Sequence, residues 1–441
     1  MAYDGNSSGA NASTNFSSTA QSFFTFSGCL EGSNSSYAAS TESTQQIPFP
    51  AGTMSKLWCR VTTAATSSST VVLRKNSTNG NETFSIGANQ TGAFSDNSDT
   101  DTINSADLLD VGITPGSTAL EVTIIAATFT ASASTNTSTV LASINLLTSG
   151  NLDSNTHFNC PVGVTMFNAS ESANTSEANS KNRQRKAMTA SNLFIQIIQA
   201  GGGNPVTFRS RKNAANGNMV ISASASQTGL LQDTTSGHTD SLAVGDDFDI
   251  SYQYSAGSGT TAQVLQGCWL TSSNGDSIYS CANDQGTSFN TSVTAYAGLC
   301  GGLEVTQTSE TNTQVTVNNA FTFSQLLANV ISNSITDAST LTLRANGGNA
   351  GSVAVSIGGS STGVFIDATD TYTAATADAM NYKLATGSTG TSISISHLSV
   401  WGNISAQVAT GRKYQHFDLR PLQHLKQQYH DFGGGQMVIF G

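Results

Sequence analysis

The amino-acid sequence predicts an all-β protein of three tandem β-sandwiches. Three observations carry that prediction: a phrase that recurs three times, a composition rich in strand formers, and apolar residues that alternate with period two over short runs. The phrase first reads Val71-Val72-Leu73-Arg74-Lys75-Asn76 and then Thr91-Gly92-Ala93-Phe94-Ser95-Asp96. It returns as Val206-Thr207-Phe208-Arg209-Ser210-Arg211-Lys212-Asn213 with Thr228-Gly229-Leu230-Leu231-Gln232-Asp233, and again as Leu341-Thr342-Leu343-Arg344-Ala345-Asn346 with Thr362-Gly363-Val364-Phe365-Ile366-Asp367. A period of about 135 residues is far too long for a solenoid and has the size of a domain. Only 10% of the 441 residues are charged and 37% are hydrophobic, with Ser, Thr, Asn and Gly filling much of the rest. Such a chain is neither swollen by charge nor rich in helical Ala, Leu, Glu and Lys runs; it suits strands with hydroxyl-rich surfaces.

The elements follow in order. Residues 1–20 are small and polar and form an N-terminal arm that needs a neighbouring surface to order it. The first sandwich, residues 21–130, opens with Gln21-Ser22-Phe23-Phe24-Thr25-Phe26, and in Met54-Ser55-Lys56-Leu57-Trp58-Cys59-Arg60-Val61 alternation puts Leu57, Cys59 and Val61 on one face. The arginine strand ends in Asn-rich turn residues, Thr83-Phe84-Ser85-Ile86 reads as its hairpin partner, and Leu120 to Phe129 closes the unit. About eight short strands with turn signals between them fit a two-sheet sandwich. The second sandwich, 138–272, keeps this order but carries a polar excursion over 168–187 that ends in Lys181-Asn182-Arg183-Gln184-Arg185-Lys186. That basic cluster reads either as a contact for an anionic partner or as a solvated loop tip. The third sandwich, 291–404, is the cleanest copy and closes with Ser392 to Gly402.

Residues 411–441 break the pattern. Arg412, Lys413, Arg420 and Lys426 gather there with His416, His424 and His430, and Pro421 can start a short helix whose Leu422, Leu425, Tyr429 and Phe432 form one apolar stripe. So short a helix must dock, on a partner or on the chain's own third sandwich. The partner-docking residues expected from sequence are Leu422, Leu425, Tyr429, Phe432, Arg412 and Lys413.

The chemistry of the chain points away from catalysis. No GxSxG, HExxH, Walker or GxGxxG signature stands between a strand and a helix, and the six histidines are dispersed. No catalytic, cofactor-binding or metal site is expected. Cys29, Cys59, Cys160, Cys268, Cys281 and Cys300 include no CxxC pair, which disfavours zinc and leaves buried thiols or disulfides open. Asp96, Asp233 and Asp367 end the repeated phrase and read as turn-closing residues, with calcium at a loop as the alternative. Arg74, Arg209 and Arg344 recur in place and are expected to pair within their own units. A net charge of −11 makes a nucleic-acid partner improbable. Neither a signal peptide nor a membrane-length apolar run is visible, so synthesis in the cytoplasm is expected.

The arginine strand, Val355-Ser356-Ile357, the Thr362 to Asp367 phrase and a tyrosine strand before Ile393-Ser394-Ile395 together resemble jelly-roll β-sandwich units of tailed-bacteriophage virion accessory proteins. The resemblance covers all three repeats but neither terminus. It implies three jelly-roll domains in a non-enzymatic virion component (capsid decoration, neck, tail or fibre), with other virion proteins and copies of itself as partners. The alternative is a carbohydrate-binding array for a host-surface glycan, with Trp58, Trp269 and Trp401 as sugar platforms.

Overall fold

The computed structural model describes residues 2–4, 16, 19–26, 41–105, 107–132, 137–147, 154–161, 163–165, 176–200, 203–256, 262–273, 276–299, 301–303, 308–317 and 320–403. The fold is all-β. The first unit contains β1 (Ala2–Asp4), β2 (Ser22–Phe24), β3 (Ile47–Pro48), β4 (Gly52–Thr63), β5 (Ser69–Lys75), β6 (Thr78–Ile86), β7 (Gly92–Ser95), β8 (Thr100–Ile103), β9 (Leu108–Thr114) and β10 (Glu121–Ala131). The second contains β11 (Thr137–Leu147), β12 (His157–Asn159), β13 (Gly163–Thr165), α1 (Glu177–Ser180), β14 (Asn182–Arg183), β15 (Met188–Gln199), β16 (Val206–Lys212), β17 (Ala215–Ala223), β18 (Gly229–Gln232), β19 (Asp240–Leu242), β20 (Asp247–Tyr254) and β21 (Ala262–Ser272). The third contains β22 (Asp276–Asn290), β23 (Thr294–Ala297), β24 (Gly301–Gly302), β25 (Val315–Thr316), β26 (Phe321–Asn333), β27 (Ser339–Ala345), β28 (Gly348–Ile357), β29 (Gly363–Ile366), β30 (Thr371–Ala374), β31 (Ala379–Ala385) and β32 (Ser392–Asn403).

Pairing makes each unit a jelly roll. In the first, one sheet runs β1-β10-β4-β7 with β8 also on β4, and the other runs β2-β9-β5-β6 with β3 also on β9. Counting β2/β3 and β7/β8 as single broken strands, the orders are 1-8-3-6 and 2-7-4-5, which is the jelly-roll arrangement of two interleaved Greek keys. The second and third units repeat both orders. Their outer sheets fuse into one of 12 strands, because β13 runs parallel to β11 on one side and to β22 on the other. Between the two sheets of each sandwich lies a core of alternating side chains, such as Leu57, Cys59 and Val61 against Val71, Leu73 and Val111.

Local chemistry repeats with the topology. The hairpin after each arginine strand turns on two residues with positive φ: Asn76 and Ser77 at 49° and 63°, Asn213 and Ala214 at 51° and 62°, Asn346 and Gly347 at 51° and 76°. These are the angles of a two-residue turn whose twist matches the strands, and Asn accepts them most readily after Gly. The Asn amide then donates to Asp107, Asp246 or Asp378, while its oxygen accepts from the backbone of Leu108, Asp247 or Ala379. Every long third strand also bulges at one left-handed residue: Lys56, Asn192 and Gln325, with φ of 56°, 48° and 56°. The polar N-terminal stretch is partly built in. Residues 2–4 pair with β10, and Phe16 is buried edge-on to Phe24, their centroids 5.9 Å apart.

Candidate functional site

The docking residues expected near the C-terminus, Arg412, Lys413, Leu422, Leu425, Tyr429 and Phe432, lie outside the described residues. The repeated arginine is inside them, and its register differs from the sequence expectation in the second unit. Arg211, not Arg209, is the counterpart of Arg74 and Arg344: each stands two residues before the turn Asn and pairs across the hairpin with Asn216, Asn79 or Asn349. Sequence similarity alone favoured Arg209 because Val-Thr-Phe-Arg imitates Leu-Thr-Leu-Arg; counting back from the turn Asn selects Arg211. Each arginine forks onto a glutamate that opens a one-turn helical segment. Arg74 Nε and Nη2 donate to Glu42 at 2.8 and 2.9 Å, Arg211 to Glu177 at 3.1 and 3.3 Å, and Arg344 to Glu310 at 2.8 and 3.0 Å. The Nη groups also hold the turn carbonyls of Ser77, Ala214 and Gly347. The fork, foremost, keeps the Arg74 and Arg344 guanidinium groups above their ordinary pKa. These pairs pin the segment before each third strand to the hairpin, as scaffold within a unit.

The acids of the repeated phrase close turns. Asp96 accepts from the amides of Thr83, Ser98 and Asp99; Asp233 from Val220 and Thr235; Asp367 from Ala354, Thr369 and Asp370. Burial alone would raise the pKa of Asp96, but those amides outweigh it and hold the carboxyl below its usual value. The preceding glycine of the phrase has φ of 112°, 97° or 104° at Gly92, Gly229 and Gly363, which explains its recurrence. No group of three His, Cys, Asp or Glu side chains suited to a metal occurs among the described residues. Cys59, Cys160, Cys268 and Cys281 are buried, and burial pushes the thiols of Cys59 and Cys268 up. Cys29 and Cys300 lie outside the described residues.

What the sequence did not show is how the units meet. On the third unit's closing strand, Ile393, Ile395, Leu398 and Val400 enter their own core, whereas Trp401 joins the core of the second unit together with Ile278 and Ala282. On the second unit, Phe194, Leu265 and Trp269 pack into the first, and the Trp269 indole N–H donates to Pro48 O at 3.0 Å. On the first unit, Trp58 and Ala126 pack on Val315 of the third. Each contact sets the outer face of one unit on the segment before the third strand of another. Second on first, third on second and first on third is a closed cycle. The strands agree: β13 bridges β11 and β22, and β24 pairs with β22 while lying beside β1. Trp58 and Trp401 are 3% and 1% exposed, so neither offers a face to a sugar, and Trp269 is held by its bond to the first unit.

The basic cluster at 181–186 is not a loop tip. Lys181 and Arg183 pair with Asp247 at 3.4 and 2.7 Å, Asn182 and Arg183 form β14, and Arg185 is 4% exposed against the third unit. The reason is pairing: β14 adds to the edge of β20, which draws the following residues inward.

No family model and no curated protein matches the chain. Among solved structures, it is similar to the infectious bursal disease virus VP2 subviral particle at 7% identity and a TM-score of 0.15, over 89% of this chain and 76% of that one. A structure of the infectious bursal disease virus Gt strain gives 9%, 0.14, 96% and 87% for the same measures. Likeness at these scores carries no weight for fold or function; the jelly-roll assignment rests on the strand order.

Proposed function

We propose that the chain is a non-enzymatic structural protein of a virion, a bacteriophage capsid-decoration, neck or tail/fibre component that assembles with other virion proteins and with copies of itself. The observation that carries this reading is the cyclic seam. Three jelly rolls that bury one another's outer faces form a single stiff block, and stiffness under load is what a particle component needs. Large apolar side chains are spent inside: among the described residues only Val244 and Ile366 are exposed, at 67% and 39%. Contacts with other subunits then fall to polar surface and to the segment 411–441, whose apolar stripe Leu422, Leu425, Tyr429 and Phe432 and basic residues Arg412 and Lys413 are the proposed anchor.

The test is incorporation. Particles produced with the full chain and with a chain lacking residues 411–441 are purified and their protein content is measured by mass spectrometry, with electron microscopy to place the block. The full chain is expected in stoichiometric amounts and the truncated chain at less than a tenth of that. Absence of the full chain from particles overturns the virion role; equal incorporation of both overturns the anchor.

A further inference from the structure

The seam between the second and third units contains a buried cation without a counter-charge among the described residues. Arg185 follows β14 at the place that Pro50 holds in the first unit, as the matching backbone bonds Gln184 N–H to Asp246 O and Phe49 N–H to Asp107 O show. Its side chain turns into the seam, where the guanidinium lies 5.8 Å from the Trp401 ring centroid and Nη2 donates to Ser399 Oγ at 2.9 Å. Arg185 Nε and Nη1 and Trp401 Nε1 are buried and find no hydrogen-bond partner among the described residues.

The neighbours do not neutralise it. His397, fully buried beside it, shares a proton with Ser280 Oγ at 2.5 Å, and burial first, then the charge of Arg185, push the imidazole down to about 3, so the ring is uncharged. Asp247 is occupied by Lys181 and Arg183. Tyr382, the other titratable group among the described residues whose field Arg185 feels, donates its hydroxyl to Tyr279 O at 3.0 Å. A guanidinium stays charged at neutral pH, and a buried charge with unspent N–H groups is among the most costly arrangements in a protein unless an opposite charge joins it.

We propose that this seam binds a small monovalent anion of halide size, held by Arg185 Nε or Nη1 with Trp401 Nε1 as a further donor. Size follows from closure: Arg185 at 4%, Trp401 at 1%, and His397 and Ser399 at 0% exposure leave no mouth for a phosphate ester or a larger carboxylate. The anion ties the second unit to the third; at the seam of the first unit on the third, Arg60 likewise lies 5.8 Å from the Trp58 ring centroid, but its side chain is only partly buried.

The test uses the full chain at constant ionic strength, with chloride exchanged for gluconate, an anion too large to enter. Above its dissociation constant, chloride is expected to raise the unfolding midpoint by roughly 1–2 °C per tenfold increase. Arg185→Met, which fills the space without charge, is expected to abolish that dependence, and Arg183→Met, on the same segment but outside the seam, to keep it. Crystals grown in bromide are expected to show one anomalous peak at hydrogen-bond distance from Arg185 Nε or Nη1. A wild-type midpoint indifferent to chloride, an unchanged chloride response in Arg185→Met, or no bromide at Arg185 each overturns the proposal; the bromide arm stands even where the variant does not fold.

Discussion

Arg344 and Glu310 meet through two parallel hydrogen bonds, Nε to Oε1 at 2.8 Å and Nη2 to Oε2 at 3.0 Å, with both side chains less than a fifth exposed. The same fork joins Arg74 to Glu42 and Arg211 to Glu177, so one solution to holding the segment before the third strand is used three times. A planar guanidinium is needed because it grips the glutamate and the turn carbonyl at once.

Arg344→Lys keeps the charge and loses the fork. Its expected cost is about 1–2 kcal/mol in the third unit, measured by urea unfolding. Glu310→Gln should cost a similar amount, and the double variant less than the sum, because the two residues act as one contact.

Asp110 and Asp249 lie opposite Arg74 and Arg211 in the sheet, where the third unit has Asn381 opposite Arg344. Burial first, then the charge of Glu42, push the Asp110 carboxyl up to about 8, and burial with Glu177 raises Asp249 likewise. The unit with Asn shows the neutral form in place: Asn381 donates to Thr313 Oγ1 at 2.9 Å. With a folded pKa above the ordinary value near 3.9, Asp110 holds its proton in the folded chain between about pH 4 and pH 8 and loses it in the unfolded chain. Its contribution to stability is therefore complete below about pH 4 and falls away as pH rises through about 8. Asp110→Asn should flatten that slope and be the more stable protein at pH 8.5 by about 1–3 kcal/mol, read from denaturant midpoints across the pH range.

Trp58 is the main apolar contact of the seam that closes the cycle, packed with Ala126 on Val315. Trp58→Ala is expected to cost about 3–5 kcal/mol and to split unfolding into two calorimetric transitions, since the first unit loses its hold on the third. Hydrogen exchange should rise at β25 of the third unit as well as around the mutation; a change confined to the first unit would show that the seam carries no coupling.

Gly363 has φ of 104° with nothing within 4 Å of the position a Cβ would take. Gly363→Ala therefore meets no clash and costs backbone strain alone, about 1–2 kcal/mol. Thermal unfolding checks it, and Gly92→Ala and Gly229→Ala should behave alike because their φ angles match.

Most of the unit was legible in the chain. Period-two alternation marked the long strands, Asn after the arginine strand marked the hairpin, and Thr-Gly-X-Phe/Leu-X-Asp marked a turn whose glycine and aspartate do what those residue types do locally. Glu42, Glu177 and Glu310 went unread although each follows a Ser or Thr, because their partner arginines are 32 to 34 residues away. The loop-tip reading of Lys181 to Lys186 fails because composition reports charge and not pairing: a segment that resembles a solvated loop becomes buried once β14 finds the edge of β20.

By itself the sequence determined the all-β class, the strand-and-turn order and the recurrent Arg, Asn, Gly and Asp positions, since each is set by near neighbours and by backbone preference. Only the tertiary structure decided that Trp58, Trp269 and Trp401 face other units and that the contacts close into a cycle. It also decided that Arg185 is buried without a carboxylate among the described residues. Those facts depend on which surfaces meet across more than a hundred residues of chain, and alternation, which gives a side chain's face, is silent about what covers that face.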